Sequence, residues 1–137
     1  MTERLRRFGR RQGGFTLLEL MVVLGLIFTL SAVAFATYKN TVQRGREAVL
    51  KENLYRMRDA IDQHYADKGK YPQSLDELVS AGYLRKLPKD PMTESDQTWQ
   101  AEPAEPDPSN PGAEPGIYNV KSGSEATAID GTPYSEW

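Results

Sequence analysis

One histidine, no cysteine and scattered carboxylates limit the chemistry open to this 137-residue chain. Without cysteine there is no disulfide, no thiolate metal site and no thiol nucleophile. His64 is the only histidine, so neither a histidine-rich metal site nor a standard catalytic triad can be drawn. Asp59/Asp62 and Asp76/Glu77 are of the residue types used in general acid–base work. Helix capping and solvated helix faces account for both pairs better. No glycine-rich phosphate loop or zinc-ligand spacing occurs. The chain reads as a non-enzyme. Its most unusual ionisable group is Glu19, a carboxylate heading 19 consecutive uncharged residues, Leu20–Tyr38.

The element that must position Glu19 is a helix. Residues 20–38 as a helix span about 28 Å, close to the roughly 30 Å hydrocarbon core of a bilayer. The rest of the chain is too polar to cover such a helix, so the segment is expected to enter a membrane. Two fates are open, a cleaved secretory signal and a retained anchor. The Arg-rich start and Ala34-Phe35-Ala36 imitate a signal peptide, but the apolar run exceeds the usual length of about 7–15 residues. Five Lys/Arg precede the span and five follow within residues 39–56, so charge does not set the orientation.

Helical patterning continues past the span. Leu50, Leu54, Met57, Ile61 and Tyr65 recur at helical spacing and predict one apolar stripe. Glu47/Lys51 and Glu52/Arg56 are expected to pair at i,i+4. No proline interrupts residues 15–67, and Gly69 and Pro72 predict the stop. Ser74-Leu75-Asp76-Glu77 is a capping box that opens a short helix, with Gly82 closing it. Residues 98–100 and 117–120 predict two strands. Between them, residues 101–116 hold five prolines and four acidic residues, the composition of either a partner-specific surface or a mobile insertion.

Charge is segregated along the chain. Residues 39–70 carry eight basic and five acidic groups, whereas residues 90–137 carry ten acidic groups against Lys121 alone. An acidic tip is not a nucleic-acid surface. A basic stalk, Arg56 and Arg58 included, and an acidic tip would attract between copies of the chain.

The string Gly14-Phe15-Thr16-Leu17-Leu18-Glu19, followed at once by the apolar run, resembles the processing site of type IV pilins and type II secretion pseudopilins. Lys70-Tyr71-Pro72, Gly82-Tyr83-Leu84 and Leu87-Pro88-Lys89-Asp90-Pro91 are similar to the head of major (protein G-type) type II secretion pseudopilins. The resemblance implies an α+β, type IV pilin-like fold. A long N-terminal helix would pack on a small head with a short helix and a small antiparallel sheet. It implies four parts: a cleaved cytoplasmic leader (1–14), a membrane-spanning half-helix (15–38), a periplasmic half-helix (39–70) and a head (71–137).

By the same resemblance, a prepilin peptidase cuts between Gly14 and Phe15 and methylates the new amine. Glu19 then meets the Phe15 amine of a neighbouring subunit, or that of its own chain four residues away. The implied product is a homopolymeric periplasmic fibre driving type II secretion. Its partners are membrane lipid, minor pseudopilins and the inner-membrane assembly platform, with no nucleic acid. In that family the tail loop holds calcium, for which Asp130 fits one position and Ser122 and Ser124 stand where a second aspartate is expected. A Ser/Asp-capped turn without metal is the competing reading. The chain lacks the family's proline near Ala36, which removes a proline-centred kink. A type IV pilin of a surface pilus and a secreted or anchored binding module are the alternatives.

Overall fold

A computed structural model describes residues 13–137. The arginines of the expected leader, Arg4 to Arg11, lie outside the described residues. The chain forms two compact units, one ending at Tyr38 and the other running Lys39–Trp137. Helix α1, Leu17–Lys68, is continuous in its hydrogen bonding.

In the first unit, Thr16 starts α1. Its Oγ1 accepts the Glu19 N–H at 3.1 Å, and its carbonyl accepts the Leu20 N–H at 3.0 Å. Thr16 and Glu19 thus have the T-x-x-E spacing of a capping box, with an acidic side chain in the first turn, where the helix dipole favours it. From Leu17 to Tyr38 every side chain is exposed. Phe28 is 75% exposed and Leu30 69%, values that water would penalise and lipid would not. Thr29 and Thr37 donate their hydroxyls to the carbonyls of Gly25 and Val33, so neither hydroxyl is left bare on this apolar surface. Among the described residues this is the one helix long and apolar enough to cross a membrane.

In the second unit, the face of α1 carrying Leu50, Leu54, Met57, Ala60, Ile61 and His64 is buried. The expected stripe ended on Tyr65, which is 47% exposed; the buried position belongs to His64. At about 100° per residue, three residues on from Ile61 stays nearer the stripe's centre line than four. Tyr65 lies outside, stacked on Tyr71 at 4.5 Å. Gly69 then stops the helix at φ 68°, with its N–H on the Tyr65 carbonyl at 2.8 Å.

Helix α2, Leu75–Ser80, is capped as its spacing predicts: Ser74 Oγ accepts the Glu77 N–H at 3.2 Å. Glu77 reaches back to the Gln73 N–H at 2.6 Å and also meets His64 Nε2 at 3.1 Å. His64 Nδ1 lies 2.9 Å from the Lys70 carbonyl. The short helix is thereby tied to the buried end of the α1 stripe, and Leu78 enters the core.

Strands β1, Gln100–Pro103, and β2, Ile117–Lys121, form an antiparallel pair. β1 begins two residues later than the sequence predicts. The aromatic of residues 98–100 is not a strand side chain: Trp99 is buried in the core, with Nε1 donating to the Pro88 carbonyl at 2.8 Å. The register shifts between Glu102 and Pro103, where proline has no N–H to give to the ladder. Val120, Ala128 and Tyr134 complete the core.

The Glu77 carboxyl is held below its ordinary value chiefly by the Gln73 N–H; burial opposes this, and His64 adds a lesser lowering. A depressed carboxylate stabilises the fold above its unfolded value, and the gain is lost as pH falls through the folded value. Glu77→Gln should therefore flatten the acid limb of the stability curve followed by tryptophan fluorescence. His64→Phe should cost about 1–3 kcal/mol by leaving the Lys70 carbonyl and Glu77 without their partner.

Candidate functional site

Gly14 and Phe15 precede α1 as exposed, non-helical chain. Phe15 is 81% exposed. A Cβ added at Gly14 would meet nothing of the chain within 4 Å, and Gly14 is not among the glycines with positive φ. The fold itself therefore places no demand for glycine there. Glu19 sits in the first turn, with its backbone held by Thr16. Sequence reasoning passed over Thr16, although its spacing to Glu19 repeats that of Ser74 to Glu77.

The tail residues named for calcium fall into two separate turns. Ser122 is fully buried and donates Oγ–H to Asp90 Oδ2 at 2.5 Å; the same Oγ accepts the Ser124 N–H at 3.2 Å. Ser124 Oγ in turn accepts the Ala126 N–H. Asp130 instead closes an exposed turn, accepting from Thr132 N at 2.9 Å and Thr132 Oγ1 at 2.6 Å. Those two bonds, the hydroxyl first, hold the Asp130 carboxyl below the usual range. No hydrogen bond joins Asp130 to Ser122 or Ser124. Among the described residues no three acidic or histidine side chains are grouped to hold a metal. Calcium wants about 6–8 oxygens with several carboxylates. Asp130 is thus the one carboxylate among the three side chains named for calcium, and it is engaged by Thr132.

What holds the tail is α1. Glu47 Oε1 accepts the Ile129 N–H at 2.9 Å and the Tyr134 hydroxyl at 2.8 Å. Gln43 Nε2 donates to Tyr134 Oη at 3.0 Å. Burial pushes the Tyr134 phenol up, with Glu47 adding to the shift and Gln43 opposing it. The expected Glu47–Lys51 pair is thus replaced: Glu47 faces the tail, and Lys51 Nζ lies 4.7 Å from the Trp137 ring centre. Glu52–Arg56 does form, at 2.7 Å. Arg58, counted above among the cations facing other copies, is engaged internally. It donates to Asn119 Oδ1 at 2.8 Å, the Val120 carbonyl at 2.9 Å and the Trp137 carbonyl oxygen at 2.7 Å. The local signal at Glu47 pointed to Lys51, whereas its tail partners Ile129 and Tyr134 lie more than 80 residues away.

The prokaryotic N-terminal methylation motif matches residues 9–35, spanning the Gly14–Glu19 string. The type II secretion system core protein G of Klebsiella pneumoniae is 32% identical over 98 residues, covering 60% of this chain and 70% of the relative. The chain belongs to the type II secretion system core protein G family. Core protein G of Aeromonas hydrophila is 30% identical over 98 residues, covering 60% of the chain and 68% of that relative. The type IV major pilin protein PilA of Myxococcus xanthus is 32% identical over 75 residues, covering 55% of the chain but only 34% of that pilin. No solved structure matches the chain. Membership accords with the long helix, short helix and two-stranded sheet, which together form the expected type IV pilin-like α+β fold. A single apolar N-terminal helix in this family fits anchoring in the inner membrane.

Two measurements check the tail. The melting temperature of the detergent-solubilised chain should not change with millimolar calcium or with chelator; a rise with calcium would restore the metal reading. Glu47→Ala should cost about 1.5–3 kcal/mol, since it removes a charged acceptor from Ile129 and Tyr134.

Proposed function

We propose that this chain is a structural subunit, not an enzyme, that polymerises into a helical periplasmic pseudopilus for type II protein secretion. The observation that carries the reading is the Gly14–Glu19 string, inside the matched methylation motif and at the head of an exposed apolar helix. Gly14 lies in an accessible, non-helical stretch where the fold has no use for glycine, immediately before the residue that becomes an amino terminus on cleavage. A peptidase that needs a small residue before the cut supplies the missing reason. Residues 1–14 are then a cytoplasmic leader, and cleavage leaves a methylated Phe15 amine. Residues 15–38 span the inner membrane, while 39–70 and the head, 71–137, face the periplasm. Prepilin peptidase, minor pseudopilins and the inner-membrane assembly platform are its partners.

Glu19 gives the polymer its register. A carboxylate at the centre of a membrane helix costs about 2.5–3.5 kcal/mol on insertion scales, and less near the edge. Helix capping satisfies the Glu19 backbone but supplies no cation to its side chain. The Phe15 amine of a neighbouring subunit supplies one, and each incoming chain docks where that pair forms. The type IV pilus reading has the PilA similarity behind it, over a much smaller share of that protein. Microscopy of overexpressing cells separates a short periplasmic fibre from a surface filament.

Intact-mass measurement should find a mature chain that starts at methylated Phe15; a start at Thr37 would mean a signal peptide and overturn the assignment. Gly14→Leu should leave a stable, full-length membrane protein that never enters fibres. Glu19→Ala should insert and be cleaved normally, yet join wild-type fibres poorly. Equal incorporation of variant and wild type would reduce Glu19 to a helix-start residue.

A further inference from the structure

The second unit carries a groove of about 810 Å³ beside the segment Tyr83–Lys89. Tyr83, Leu87 and Pro88, all half-buried, supply apolar lining. Arg56, Arg85, Lys86 and Lys89 stand around it, each exposed. Among the described residues Arg85, Lys86 and Lys89 make no ion pair, and Arg56 is paired with Glu52. Asp59 and Asp96 also line the groove, and each already accepts a glutamine amide, from Gln63 at 2.7 Å and Gln97 at 3.2 Å. The lining thus combines apolar side chains with four cations and two carboxylates that are already bonded to glutamine amides.

The same chain holds a segment of opposite character. After β1 it runs Ala104-Glu105-Pro106-Asp107-Pro108, and it returns through Glu114-Pro115 to β2. Glu105, Asp107 and Glu114 are exposed. Asp107 accepts only from its neighbour Ser109, whereas the carboxylates of Glu105 and Glu114 have no partner among the described residues. The arm 104–107 is free of turns and stiffened by proline, and turns closed by Asn110 N–H on the Asp107 carbonyl and Ala113 N–H on the Asn110 carbonyl shape the tip, so the loop loses little entropy on docking. None of the groove's lining comes from this loop, so a chain does not fill its own groove.

We infer that the acidic, proline-rich loop 104–115 of one copy docks in the basic groove at Tyr83–Lys89 of the next. The inference rests on the fibre reading above and adds a contact outside the membrane. Two different patches on one chain make a heterologous contact, and a heterologous contact that does not close on itself generates a helical filament. Charge sets the pairing and its salt dependence, screened beyond about 8–10 Å, and the proline–apolar contact sets the depth.

The absence of native cysteine makes a direct test possible in the full chain in its own membrane. Lys86→Cys and Glu105→Cys are introduced together and singly, fibres are imaged, and the cells are treated with copper–phenanthroline. The double variant should give a ladder of cross-linked copies, and each single variant should give none. Fibres without a ladder would overturn the docking and leave the fibre reading intact; a dimer from either single variant would overturn it too. Wild-type cells without any fibre would overturn both. In parallel, Lys86→Glu with Lys89→Glu should deplete fibres, and adding Glu105→Lys with Asp107→Lys should restore them. Depletion without restoration would mean that the cations act elsewhere.

Discussion

One face of one helix holds the second unit together. Leu50, Leu54, Met57, Ala60 and Ile61 supply five of the ten buried apolar side chains of the core, and His64 is buried on the same face. No disulfide ties the elements of this unit together, so apolar burial and hydrogen bonds must do it. Each remaining element is therefore short and is held by what it gives to that face. Helix α2 contributes Leu78 and the Glu77–His64 clasp, the strand pair contributes Val120, and the tail contributes Ala128 and Tyr134. Polar side chains of α1 then fix the outer layer, as Gln43 and Glu47 do for the tail and Arg58 does for β2.

That dependence explains how much could be read in advance. The long helix, its stop at Gly69 and the Ser74 cap are local properties, written in spacing and in glycine, and they stand where expected. The apolar stripe was legible up to its last position. There the buried place falls to His64, three residues on from Ile61, which also finds the Lys70 carbonyl and Glu77 inside the fold. Trp99 read as a strand residue because aromatic residues favour strands; the Pro88 carbonyl instead draws its indole inward.

The processing string was the most legible part of the candidate site, because its meaning lies in order and neighbours rather than in tertiary contacts. The tail was the least legible. Serine and aspartate are at home both in metal loops and in tight turns, and only the fold tells them apart. Ser122 finds Asp90, 32 residues away, while Asp130 finds Thr132 beside it. Glu47 and Arg58 looked like surface charges for the same reason. A sequence lists an ion's neighbours along the chain, not the carbonyls and hydroxyls that reach it across the fold.

The loop between the strands is closed at its base. Ala104 N–H binds the Gly116 carbonyl at 2.7 Å, Ile117 N–H binds the Pro72 carbonyl at 2.8 Å, and Gly116 is packed so closely on Tyr71 that a side chain there would collide. Beyond that seam, residues 105–115 contribute nothing to the core. Drift in their sequence is thus uncoupled from folding. A lineage can rewrite this cassette together with the exposed cations that face it, keeping its own subunits from mixing with those of a sister system, while the core beneath the seam stays as it is.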